Sequence, residues 1–241
     1  METSGTKREP LTVAVVQPLW AGDDVLGNVS EHARAIGRAD ARLVVFPEFS
    51  LTGYDLAAPA VSPDDDRLQP LVDACRAAGS VALVGAPIED EDGREYIATL
   101  AVTGDGVTAV YRKMWLHGPE FDRFTPGDKP AVLTVDGWRL GLAVCYDAAV
   151  PQHAVDTAAL GVDAYVASTL YGPGSDSAVR RDTHMRERAV SHGMWVVLST
   201  AAGPSGSYPE TSGGSGVWGP GGEPVAQAGP AAGEITVAVL G

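Results

Sequence analysis

The chain has 241 residues, 45% of them hydrophobic and 20% charged, and a net charge of −14. That length and apolar content suffice for one large domain or two small ones, with a core that needs neither metal nor disulfide. The acidic balance argues against broad contact with nucleic acid or an anionic membrane, where cationic patches supply the attraction. Two cysteines, Cys75 and Cys145, make no disulfide framework.

The opening METSGTKREP is polar and lacks the apolar stretch of a signal peptide. No apolar run approaches the ~18 residues of a membrane helix. The expectation is a cytoplasmic protein, whose reducing surroundings suit a reactive thiol.

Residues 1–10 are expected to be a loose tail, and 11–241 one domain. Leu11–Gln17 reads as a buried strand. Asn28–Ala39 places Val29, Ala33 and Ile36 at helical spacing, with Asn28 or Ser30 as a cap. Leu43–Phe46 is a second buried strand, and Glu48 lies just beyond it. Asp64–Asp66 fits a helix start or a solvated face, because it lacks the Gly and distal Glu of a calcium loop. Leu68–Ala78 reads as a helix with Cys75 in the core. Val81–Ile88 and Glu95–Thr103 form a hairpin about the acidic turn Glu89–Gly93.

After the turn Gly104–Gly106, the strand Val107–Tyr111 delivers Lys113. Turns at Pro126–Asp128 and Asp136–Gly137 precede the apolar run Leu140–Val144, which stops at Cys145. Gln152–Leu160 and Ser177–His192 read as helices, and Ala164–Ala167, Trp195–Ser199 and Ile235–Leu240 as strands. Gly213–Gly222 is glycine-rich but lacks the Gly-Lys-Ser/Thr of a phosphate loop. With no linker or repeat, the pattern is one domain of mixed α/β class.

A carboxylate, an amine and a thiol thus each sit at the downstream end of an expected strand. A strand fixes such a group, and the turn after it aims backbone N–H groups at whatever the group attacks. Taken singly, each has a plainer role: Glu48 and Lys113 as solvated charges, Cys145 as a small core residue. The five histidines have no zinc-like spacing. His117 and His153 are the candidates for a Cys–His pair, but neither lies in a papain-type context.

The stretches PEFSLTGYD (Pro47–Asp55), VYRKMWLHGPE (Val110–Glu120) and GLAVCYDAAVPQ (Gly141–Gln152) resemble, in this order, the motifs of the nitrilase superfamily. These are carbon–nitrogen hydrolases with a Glu–Lys–Cys triad, and the resemblance runs from Val13 to about Val239. It implies a four-layer α–β–β–α sandwich, two mixed β-sheets face to face with helices outside. It also implies Cys145 as nucleophile, Glu48 as general base and Lys113 as oxyanion stabiliser. The backbone N–H of Tyr146 would be the second oxyanion donor. Glu120 falls in GPEFDRFTPGD, similar to the segment whose second glutamate orients the lysine and substrate; its plainer role is a loop carboxylate, and Asp122 is the neighbouring candidate for the same position.

Tyr54, Trp115, Tyr146, Thr169, Leu170, Tyr171 and Trp218 lie in or near loops that border the family's active site, and are expected to line the substrate pocket. The resemblance implies no cofactor and no metal. Its implied partner is a small amide, and its implied assembly a homodimer or higher homo-oligomer. The segment after the cysteine departs from the family's usual C-Y-D-x-x-F-P-E at Val150 and Gln152. Ser191 and His192 stand where a Glu–Asn pair is frequent, and Ser199 or Thr200 where an Asn is. Little chain follows the last strand to form an arm across a dimer. These changes leave the triad intact but bar transfer of one relative's substrate.

The expected activity is hydrolysis of a linear carboxamide to an acid and ammonia. A nitrilase, an N-carbamoyl amine hydrolase or an amide-forming acyltransferase would use the same triad. A catalytically silent binding protein on the same fold is the alternative from another class.

Overall fold

The computed structural model describes residues 8–241. The first half alternates strands and helices: β1 (Leu11–Val16), α1 (Val25–Ala39), β2 (Leu43–Val45), α2 (Gln69–Ala78), β3 (Val81–Glu89), then β4 (Glu95–Thr103) and β5 (Gly106–Arg112). Strands β1, β2 and β3 are buried on both faces, so they are apolar without alternation, as parallel strands covered on two sides must be. They pair in parallel through the α1 and α2 crossovers, and β4 and β5 extend the sheet by antiparallel hairpins. The last strand, β12 (Ile235–Leu240), returns to pair antiparallel with β1, giving the order β12-β1-β2-β3-β4-β5.

The second half repeats this logic. It holds β6 (Val132–Val135), β7 (Trp138–Val144), α3 (Tyr146–Ala149), α4 (Pro151–Ala158), β8 (Ala164–Thr169), α5 (Ser175–His192) and β9 (Trp195–Thr200). The hairpin β10 (Gly216–Trp218) and β11 (Pro224–Gln227) follows. Strands β7, β8 and β9 are parallel, and the sheet order is β11-β10-β9-β8-β7-β6.

The two sheets face each other across one apolar layer that includes Val13, Leu43, Leu83, Leu142, Val166 and Val197. The outer face of the first sheet packs on α1 and α2 through Val29, Ile36, Leu71 and Cys75. That of the second packs on α4 and α5 through Ala154, Met185 and Ala189. Two mixed sheets flanked by helices make the α–β–β–α sandwich. No helix among the described residues is long and apolar enough to cross a membrane.

Several local expectations shift. The expected tail lies outside the described residues up to position 7. Arg8 stacks 3.6 Å over Trp138 and pairs with Asp163 at 2.5 Å, and Glu9 accepts a hydrogen bond from Trp138 Nε1, so this end of the segment is pinned. Helix α1 begins earlier than expected, at Val25, because Asp24 caps it. Asn28 is inside the helix and ties Ala21, Gly22 and Leu51 together through its amide. Asp65 caps the short 3-10 turn Asp66–Leu68 that leads into α2, in keeping with a helix start. Strands β6, β10 and β11 are only three or four residues long and form by pairing, β6 with β7, β10 with β9 and β11 with β10.

Candidate active site

Three chain segments converge at the carboxyl ends of the strands, where open α/β sheets place their ligands. After β2 the chain makes a tight turn with Phe49 at φ 52°. This turn lies directly on β3: a Cβ on Gly85 would stand 2.5 Å from Phe49 N and 2.7 Å from Pro47 O. Hydrogen bonds from Leu51 N to Gly85 O and from Gly85 N to Ser50 Oγ lock the contact. Only glycine permits such an approach, and the result is a buried Glu48 held on rigid backbone.

Lys113 follows β5. Its N–H donates to Ile97 O and its carbonyl accepts from Gly127 N, so the backbone on both sides is anchored. The buried ammonium donates to Glu48 Oε1 at 2.8 Å and to Glu120 Oε1 at 2.7 Å. Glu120 sits on the 3-10 turn Gly118–Asp122, where its Oε2 accepts from His117 N–H. Tyr54 Oη donates to Glu120 Oε1 at 2.5 Å.

Cys145 ends β7 with φ 46° and ψ −102°, a strained conformation for a residue with a Cβ. Hydrogen bonds from Cys145 N to Ser168 O and from Ala148 N to Cys145 O hold the turn. The thiol contacts Leu170 O at 3.5 Å, and α3 begins at the next residue with its first N–H groups free of helical partners.

Asp147, which no motif marks as a site residue, braces this geometry. Its Oδ2 accepts from Val144 N–H at 2.9 Å and Tyr111 Oη–H at 2.7 Å, and its Oδ1 from Trp115 N–H at 2.8 Å. One buried carboxylate therefore ties the cysteine turn to the lysine loop. Tyr111 also contacts His153 Nε2, whose Nδ1 meets Tyr165 Oη. His153 is thus a buried link in this network, and no Cys–His pair forms with it. His117 instead packs at a tilt against Tyr146, with ring centroids 4.7 Å apart. The signal for Asp147 was its place two residues after the cysteine, but nothing in the sequence says that its carboxylate turns back on the strand.

The electrostatics follow from burial. Glu48 is pushed up to about 7, chiefly by desolvation; the Lys113 charge opposes this, and the Glu120 charge adds to it. Its Oε2 is buried and makes no hydrogen bond of normal geometry. Burial and then the Glu48 charge push the Cys145 thiol well above its usual range, with Lys113 opposing. For Lys113, burial favours the neutral amine, but Glu48, Cys145 and Glu120 outweigh it and hold the ammonium charged. The resting site is then a protonated thiol beside a carboxylate poised to gain or lose a proton near neutrality.

Cys145 and Glu120 open on a cavity of about 390 Å³. Tyr54, Tyr146, Leu170 and Tyr171 line it. Tyr54 stacks edge-on with Phe49 and Tyr208, which makes that wall aromatic. The other three expected pocket residues lie elsewhere. The Trp115 ring is partly exposed outside the cavity, and only its backbone N–H joins the site through Asp147. Thr169 is buried within β8, its hydroxyl on Ser199 O. Trp218 is in the layer between the second sheet and its helices. For Thr169 and Trp218 the reason is the period-two geometry of a strand, which turns these side chains away from the cavity. His184 and Tyr208 line the cavity and were not expected. No cluster of metal-ligating residues exists among the described residues.

The family model for carbon–nitrogen hydrolases matches residues 12–240. The chain is 32% identical over 179 residues to an (R)-stereoselective amidase of a Pseudomonas species, an alignment that spans 70% of this chain and 65% of that protein. Its fold superposes on Saccharomyces cerevisiae Nit3, a member of branch 10 of the nitrilase superfamily, with a TM-score of 0.86 and 25% identity over 96% of this chain and 90% of that one. It also superposes on a cysteine-to-alanine variant of the amidase from Nesterenkonia sp. AN1 in complex with butyramide. There the TM-score is 0.84 and the identity 28%, over 95% and 90% of the two chains. Other structures of that amidase carry the acetamide moiety of fluoroacetamide on the active-site cysteine.

Proposed function

The chain belongs to the carbon–nitrogen hydrolase family, and on that premise we propose that it hydrolyses linear carboxamides to a carboxylate and ammonia. The observation that carries this is the buried Glu48–Lys113–Glu120 chain of contacts beside a cavity-facing Cys145. The amide preference draws on the amidases among its relatives.

In this reading Cys145 Sγ attacks the carbonyl carbon while its proton passes to Glu48 Oε2. A thiol held protonated needs such a base, since the thiolate is the nucleophile. The oxyanion is stabilised by the Lys113 ammonium and by the N–H of Tyr146, both fixed before substrate arrives. Collapse breaks the C–N bond, and the leaving nitrogen takes the proton from Glu48 and departs as ammonia. Water then attacks the thioester carbon while Glu48 accepts its proton. The acid leaves, and the proton returns to the thiolate. Glu120 keeps Lys113 charged and aimed, and Tyr54 holds Glu120. The assembly we propose is a homodimer, acting in the cytoplasm as one domain over 11–241.

The test is ammonia release from a panel of amides, nitriles and carbamoyl amines, with Cys145→Ala alongside. Release from amides that the variant abolishes supports the reading. Release only from nitriles, or release with carbon dioxide from carbamoyl amines, replaces the substrate class but keeps the machinery. No release, together with a Cys145 inert to iodoacetamide in folded protein, overturns catalysis in favour of a silent binding protein.

A further inference from the structure

Glu48 also lines a second cavity, which Cys145 and Glu120 do not share. Its volume is about 20 Å³, room for a single water molecule. Segments 18–20, 47–53 and 201–205 close it in. Two of the residues on its wall carry a buried polar atom with no hydrogen-bond partner among the described residues: Trp20 Nε1 and Glu48 Oε2. The indole stands directly on the loop that follows Glu48, since a Cβ on Gly53 would lie 2.6 Å from Trp20 Nε1, and Gly53 lines the same cavity. The other carboxylate oxygen of Glu48 is taken by Lys113. Ser50 and Ser205 complete the polar part of the wall. Each hydroxyl oxygen accepts a backbone N–H, Ser50 Oγ from Gly85 at 3.1 Å and Ser205 Oγ from Tyr54 at 3.2 Å. A hydroxyl that accepts in this way still has its own proton to donate.

Resting on the amidase reading only for Glu48 as the base, we propose that this cavity holds one ordered water linking the indole N–H of Trp20 to the Glu48 carboxylate, and that Trp20 is thereby a positioning residue for the general base. Buried polar groups are paired with protein or with ordered water, and an unpaired one is costly. An indole N–H can only donate. A water that accepts from it and from a serine hydroxyl has both lone pairs engaged, so its protons turn to the carboxylate. An ionised carboxylate offers about four acceptor sites on its two oxygens, which leaves Glu48 free to take the thiol proton as well. A hydrogen bond donated to the ionised form favours that form. The water therefore opposes the desolvation that raises Glu48 and keeps the base ready near neutrality. Because Cys145 does not line this cavity, the water is a fixture of the site and is not the one that attacks the thioester.

The test is Trp20→Phe, which keeps an aromatic ring and removes the donor. It is read in two pH profiles, kcat/KM for an amide that the wild type turns over and the rate of alkylation of Cys145 by iodoacetamide. Both depend on ionised Glu48. Loss of the water's anchor moves both midpoints up from about 7 by about half to one pH unit, the scale of one hydrogen bond to a charged group. The variant is then about three- to tenfold slower on the acid side and within about twofold of the wild type on the alkaline plateau. Unmoved midpoints overturn the proposal, and a rate lowered equally at every pH does so too, because it marks Trp20 as packing alone. A crystal structure of the wild type, at a resolution that shows waters, decides independently of how the variant folds. Density for a water within hydrogen-bond distance of both Trp20 Nε1 and Glu48 supports the link, and a dry cavity overturns it. If the wild type turns over no amide, the alkylation profile and the crystal structure still decide the role of Trp20, so the amidase reading and this proposal fail separately.

Discussion

Replacing Asp147 by Asn tests whether the brace between the cysteine turn and the lysine loop is what sets the site. The native carboxylate accepts from three buried donors: Val144 N–H, Trp115 N–H and Tyr111 Oη–H. An amide of the same shape keeps one acceptor oxygen and turns an NH2 toward the remaining donors. If the oxygen serves Val144 and Tyr111, Trp115 N–H is orphaned; in the other orientation Val144 N–H is. One unpaired buried donor costs about 1–3 kcal/mol. The native cost of keeping Asp147 ionised offsets part of this, since burial raises its proton affinity before His153 and its hydrogen bonds lower it. The net expectation is about 1–2 kcal/mol of lost stability. The larger effect falls on reactivity, because either orientation releases one of the two loops that hold Cys145 and Lys113 in register. A small misplacement of reacting groups costs up to ~10²-fold. Urea unfolding followed by tryptophan fluorescence reads the first quantity, and the rate of alkylation of Cys145 by iodoacetamide with parallel ammonia release reads the second. An Asp147→Asn protein that unfolds at the wild-type urea concentration and alkylates at the wild-type rate refutes the brace.

Further outcomes follow from the same geometry. Glu48 sits at about 7 and must be ionised to accept a proton, so kcat/KM rises with pH through about 7 and Glu48→Gln loses about 10²–10⁴-fold; a profile flat from pH 6 to 8 counts against Glu48 as the base. The same raised proton affinity has a stability consequence. The folded protein holds this proton more tightly than the unfolded chain, so this contribution is present below about 4.5 and lost as pH rises through about 7. His32 acts with the opposite sign: burial lowers it to about 4 although Asn28 O opposes the shift. Its stabilising contribution is present above about 6.5 and lost as pH falls through about 4. Urea midpoints at pH 7.5 and 5 therefore drop further for the wild type than for His32→Gln, and equal drops discount the residue. Gly206 has φ 54°, and a Cβ there overlaps the backbone of Tyr54. Gly206→Ala is expected to cost a few kcal/mol, about 2–3, and to lower kcat by moving the wall that holds Glu120. Wild-type thermal stability and turnover in that variant exclude the coupling.

Some of this protein was legible in one dimension because its signals are local. Strands buried on both faces must be apolar throughout, so Leu43–Val45, Val81–Ile88 and Leu140–Val144 announce themselves. Glu48, Lys113 and Cys145 stand out because each interrupts or ends such a run, and the motifs around them carried the family and its sandwich. What depended on the partner strand was silent: β6, β10 and β11 are short, half-exposed or glycine-rich, and only their hydrogen-bonding neighbours make them strands. The same limit governed the pocket. Tyr54 and Trp218 are both aromatic residues near glycines, yet Tyr54 reaches Glu120 whereas Trp218 fills the layer behind the second sheet. Side-chain direction depends on register and on how two sheets stack, and these are set by contacts between residues far apart in sequence. Asp147 belongs to this second kind, because its carboxylate finds its role only where the end of β7 meets the loop after β5. Pattern determined the mixed α/β class and set the three candidate groups at strand ends, and the motifs around them carried the family and the layers it implies. Long-range packing alone decided which side chains face the thiol, which hold it in place, and which merely fill the core.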